Sequence, residues 1–150
     1  MSYVVHHPYQ YVGKPVVGDW QDRNVGQCAQ FAQQTWAHEH KMDMPQTVFW
    51  RPGKRVMDCK PGELTPGTVL ATFDAQGHYH NRHGYHTVLY VNLNLDKNGK
   101  PNMLGVIHQH QQIGPTIKHE TFHFGPNVHY KDARNYYIVE PASAGASGSW

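Results

Sequence analysis

The sequence has no run of lysine or arginine. Its formal charge of +2, from 13 Lys+Arg against 11 Asp+Glu, falls far short of the clustered positive footprint that a nucleic-acid partner demands. There is no apolar run of membrane-spanning length, so membrane insertion is not expected. Met1 to Pro8 hold neither a basic n-region nor an apolar stretch of signal-peptide length, so a route other than general export is expected if the protein acts outside its cell. Cysteine is scarce: Cys28 and Cys59 stand in dissimilar contexts and match neither a disulfide framework nor a paired zinc motif. One of them is therefore best read as a reactive thiol. No internal repeat is present.

What the chain does have is a foldable composition and an excess of histidine. With 39% hydrophobic, 12% aromatic and 16% charged residues it belongs with globular proteins. Its 150 residues suit a single core, expected over 1–140, with an Ala/Gly/Ser-rich flexible tail over 141–150. Residues 1–25 carry scattered Pro and Gly without periodicity and predict an irregular arm lying over the domain. Cys28, Phe31, Ala32, Thr35 and Trp36 then fall at i, i+3, i+4, i+7 and i+8, the stripe of a helix ending near His40. Residues 41–67, with Pro45, Pro52, Pro61 and Pro66, predict loops and turns.

Five β-rich segments follow, at Thr68 to Phe73, His86 to Leu93, Met103 to Gln111, Ile117 to Phe124 and Tyr136 to Glu140. Asp96-Lys97-Asn98-Gly99-Lys100 predicts a hairpin between the second and third. The expected fold class is α+β, one cysteine-bearing helix packed on an antiparallel sheet of about five strands.

A cysteine in the first turn of a helix faces unpaired N–H groups and the positive end of the macrodipole, which favour the thiolate. Cys28 stands there, after Gly26-Gln27, and its first-turn amides are suited to holding an oxyanion. In Gly84-Tyr85-His86-Thr87-Val88-Leu89-Tyr90-Val91, His86 opens an apolar strand, a rigid place from which to aim a general base at that helix terminus. A third group has to orient the imidazole. His108 is the first choice, because its strand is the hairpin partner of the one bearing His86; His110 and Gln109 are alternatives. Strand alternation directs Val106, His108 and His110 to one face and Ile107 and Gln109 to the other.

Gly26-Gln27-Cys28 opening a helix, Pro66-Gly67-Thr68 turning into a strand, and Gly84-Tyr85-His86 opening the next resemble the cysteine/histidine-dependent amidohydrolase/peptidase domains. Over roughly residues 20–125 the order of elements is closer still to small bacterial amidases related to the NlpC-type cell-wall peptidases, whose members include type VI secretion effectors. The resemblance implies a papain-like fold without a cofactor, and cleavage of an amide bond in a peptidoglycan peptide stem by Cys28 and His86. The family often has an acidic residue followed by glutamine at the third position, where this chain has His108-Gln109, although related cell-wall peptidases use a histidine.

By the same resemblance Trp50, in Phe49-Trp50-Arg51-Pro52-Gly53, would line the substrate groove, and Gln109 joins it as a substrate-binding candidate. Action in the periplasm or wall of a target bacterium, delivery by a contractile injection machine and neutralisation by an immunity protein follow by analogy.

Two other classes compete. His78, His80, His83 and His86, or His108 and His110, would suit a histidine-rich metal protein, but neither an H-E-x-x-H helix nor a zinc-spaced cysteine pair is present, and no metal is expected. Trp20, Trp36, Trp50 and nine tyrosines would suit a non-catalytic cell-wall-binding module, although aromatics more often fill a core, as Trp36 should. Gln21 is a lesser candidate for an oxyanion donor, Asp74 and Asp19 are lesser candidates for substrate contact, and Cys59 reads as structural.

Overall fold

A computed structural model describes residues 2–17, 28–80, 85–110 and 114–142. Helix α1 (Cys28–His40) buries Cys28, Ala29, Phe31, Ala32, Thr35 and Trp36, the five-residue stripe expected from the spacing plus one alanine. Thr35 turns its hydroxyl back onto the Phe31 carbonyl at 2.7 Å, so a polar side chain is buried without an unpaired donor.

Six strands form one sheet: β1 (Trp50–Arg55), β2 (Val69–Thr72), β3 (Thr87–Leu95), β4 (Pro101–His108), β5 (Lys118–His123) and β6 (Tyr136–Pro141), in the order β1-β6-β2-β3-β4-β5. Every neighbouring pair is antiparallel. Five strands agree with the expected segments to within a few residues, and the sixth, β1, lies where loop was expected. Proline and glycine at Pro52 and Gly53 weaken a strand signal, yet β1 is an edge strand pairing only with β6, where a missing N–H is tolerated. A Cβ on Gly53 would come within 2.7 Å of the Glu140 side-chain carboxyl, which folds over this glycine.

The predicted turn joins β3 to β4. Asp96 Oδ1 accepts the N–H groups of Asn98 at 2.8 Å and Lys100 at 3.0 Å, and Gly99 takes the positive φ.

Period-two alternation divides the core into two layers. Val69, Ala71, Leu89, Val91 and Ile107 face α1, while Leu70, Val88, Tyr90, Leu104, Val106 and Phe122 face the opposite layer, closed by Val56, Cys59, Leu64, Ala133 and Tyr136. Each fully buried apolar side chain of this size stabilises the fold by about 1.5–3 kcal/mol.

The arm, residues 2–17, lies along the α1 layer. Val5 N–H donates to Gly67 O at 2.9 Å and Gly13 N–H to Ile117 O at 2.8 Å, so the arm is tied to both halves of the sheet. Gly67 has φ +93°, and a Cβ there would sit 1.7 Å from the Val5 carbonyl oxygen; only glycine admits the arm. No described helix is long and apolar enough to cross a membrane.

Candidate active site

Cys28 is buried, 5% exposed. Its Sγ lies 3.4 Å from the Tyr79 hydroxyl and 3.9 Å from the Tyr85 carbonyl oxygen, and the Thr87 and Ala29 N–H groups point at it. The sulphur therefore sits against the backbone on either side of His86, where β3 begins. Burial pushes the Cys28 thiol up, outweighing the donors from Tyr79, Thr87 and Ala29. This differs from the thiolate expected of a helix terminus: removing a charge from water costs more here than a first-turn location returns.

His86 and His108 come together as expected from the hairpin, Nε2 of the first 2.7 Å from Nδ1 of the second. His108 is fully buried, and its Nε2 reaches Glu120 Oε1 at 3.0 Å. That bond holds the Glu120 carboxyl below the usual range, so it is ionised at neutral pH. An ionised carboxylate only accepts, so His108 Nε2 carries the hydrogen. In the tautomer in which His108 Nδ1 carries the lone pair, it accepts from His86 Nε2–H, and the lone pair of His86 falls on Nδ1. Burial, followed by the neighbouring His108 and His110, holds His86 well below its ordinary value, so its ring is neutral at pH 7.

His86 and His108 share the sheet face of Val88, Val106 and Phe122, whereas Cys28 enters from the α1 face. The sulphur and the histidine chain meet at the end of the sheet, and no direct hydrogen bond joins Cys28 to the His86 ring. The remaining candidates have other surroundings. His110 stands 6.5 Å from the His86 ring, outside the His86–His108–Glu120 line.

Gln109 clasps the arm, accepting Val17 N–H at 2.8 Å and donating to Val17 O at 2.9 Å, and is 1% exposed. Trp50 is fully buried, donates Nε1–H to Pro45 O and lies 5.2 Å from the Tyr79 ring, so it backs Tyr79.

Asp74 is tied to His80 Nε2 at 2.7 Å and to the N–H groups of Gln76 and His78 at 2.9 Å, and those bonds lower its carboxyl to about 2. Cys59 is a buried free thiol on the Arg55 carbonyl. Trp36 packs in the core against Tyr3 and His40. Asp19, Trp20, Gln21, Gly26, Gln27, His83 and Gly84 lie outside the described residues. Among the described residues no group of three or more His, Cys, Asp or Glu side chains converges as metal ligands would.

Two residues of this arrangement escaped the sequence reading, Glu120 and Tyr79. Glu120 left a faint trace: it alternates with the buried Phe122 on β5 and pairs with Val106 on the strand bearing His108. Tyr79 left none, because it lies among histidines in a loop and reaches Cys28 across 51 positions.

With a cysteine opening α1 and a carboxylate-anchored pair of histidines at one end of the central strands β3 and β4, this α+β fold is that of a papain-like cysteine hydrolase. The chain belongs to the domesticated amidase effector 2 family, whose profile matches residues 1–139. It is accordingly an amidase of the peptidoglycan-directed effectors, and the metal-protein and binding-module readings are not favoured. Among solved structures it is similar to a type 6 secretion amidase effector 2, with 21% identity and a TM-score of 0.69 over 93% of this chain and 94% of that one; this likeness speaks to the fold. No curated protein matches the chain.

Proposed function

We propose that the chain cleaves an amide bond of the peptidoglycan peptide stem through a thioester on Cys28. In this mechanism His86 Nδ1 takes the thiol proton as Sγ bonds the carbonyl carbon, and the Ala29 and Thr87 N–H groups stabilise the oxyanion. The C–N bond breaks as His86 returns that proton to the departing amine. Water then attacks the thioester as His86 accepts its proton, and the C–S bond breaks as His86 passes that proton to the departing sulphur, restoring the thiol. His108 and Glu120 keep His86 in the tautomer whose Nδ1 is basic.

The observation that carries the reading is the ordered series Glu120, His108, His86, ending beside a buried sulphur that touches the backbone on both sides of His86. Because thiol and imidazole are both neutral at rest, the proton moves at the moment of attack and no preformed ion pair is needed.

Residues 1–140 serve as one catalytic unit in this reading, acting in the periplasm or wall of a target bacterium, and an immunity protein would protect a producing cell. The test is digestion of purified sacculi by wild type and Cys28→Ala, with muropeptides read by mass spectrometry. New fragments from the wild type alone are expected, and their masses name the bond. Equal fragments from the variant would overturn the role of Cys28.

A further inference from the structure

Tyr79 belongs to the loop between β2 and β3, is 6% exposed, and bears two contacts on one hydroxyl. Thr87 Oγ1 donates to that oxygen at 2.8 Å, and Cys28 Sγ lies 3.4 Å away. Since Thr87 supplies the hydrogen in the first contact, the proton of Tyr79 itself is left for the sulphur. The ring cannot swing away, held by Trp50 at 5.2 Å, Phe73 at 6.2 Å and Tyr85 at 6.3 Å between centroids. Burial and the adjacent Cys28 hold Tyr79 well above 10, so it keeps its proton and acts as a donor, never as a base.

We infer that Tyr79, oriented by Thr87, is a fixed hydrogen-bond donor to the Cys28 sulphur that stabilises the thiolate as it forms and as it departs from the thioester. The inference rests on the nucleophile assigned above. It supplies what burial otherwise denies: a partner for negative charge on a sulphur that has no cation beside it among the described residues. The described titratable groups that bear on this sulphur are Tyr79, Tyr136 on β6 and, across the Thr87 backbone, His86 on β3. None is positively charged at neutral pH, so the donated hydrogen carries the stabilisation.

The experiment follows iodoacetamide alkylation of Cys28 against pH by mass spectrometry, in wild type, Tyr79→Phe, Thr87→Val and Thr87→Ser. Cys59, which is bonded to the Arg55 carbonyl, serves as internal reference. Tyr79→Phe keeps the packed ring and should move the Cys28 profile up by about one to two pH units, lowering alkylation below it ten- to a hundredfold.

Thr87→Val should move it the same way by less, and Thr87→Ser should restore it. A Cys28 profile unchanged in folded Tyr79→Phe overturns the inference; if that variant does not fold, an unchanged profile in Thr87→Val does so. Alkylation needs no turnover. Activity retained in Cys28→Ala would therefore remove the nucleophile assignment and leave the Tyr79 contact separately measured.

Discussion

At Glu120 one ionised carboxylate decides where two protons sit, because an acceptor at one end of a row of imidazoles sets every tautomer along it. Glu120→Gln offers His108 either an acceptor or a donor, so the row loses its direction while its packing is kept. We expect kcat to fall about ten- to a hundredfold, with Tm nearly unchanged. His86→Ala should fall further, to the level of Cys28→Ala, since it removes the proton carrier itself; a loss in Glu120→Gln as large as in His86→Ala would mean that Glu120 meets substrate directly. Because His86 is held well below 6.5, the neutral ring that the proposed mechanism requires persists into mildly acidic solution. The acid limb of kcat/KM should therefore lie below the ordinary histidine range.

The loop of residues 74–80 between β2 and β3 is the element on which Tyr79 depends, and Asp74 is its staple. A carboxyl lowered from 3.8 to about 2 stabilises the fold fully above the unfolded value, and that contribution is lost as pH falls through about 2. Asp74→Asn should therefore lower Tm at pH 6, and the difference from wild type should shrink between about pH 4 and pH 2. A constant difference across that range would show that the charge contributes nothing.

The strands around this loop were readable because β-branched and aromatic runs alternate between Gly, Pro and Asp signals. Strand β1 was not, because an edge strand tolerates the Pro52 and Gly53 that look like loop.

Across the whole molecule the arm and the histidine strand are fastened together. Gln109 adjoins His108 and imitates a backbone pair with Val17, so the segment next to His108 also holds residues 2–17 on the α1 layer. Gln109→Ala leaves both Val17 groups unpaired and should cost about 1–3 kcal/mol, roughly 3–10 °C in Tm, measured by thermal melts. Release of the arm should speed proteolysis within residues 2–17 before the sheet is cut. An unaltered melt would place Gln109 outside the structural framework and return it to the substrate side.

The sequence by itself determined the helix and its cysteine, five of six strands, the hairpin that brings His86 to His108, and the α+β class, because each depends on periodicity or turn chemistry within a few residues. Tertiary structure decided what distance in the chain conceals. Glu120 meets His108 only when β4 and β5 pair, and Tyr79 meets Cys28 only when its loop folds over α1. Trp50 and Gln109 are withdrawn from solvent by layers closing over them, and burial makes Cys28 a thiol where a helix terminus alone would favour the thiolate. Charge and exposure depend on everything packed around a group, and no local pattern in a chain records that.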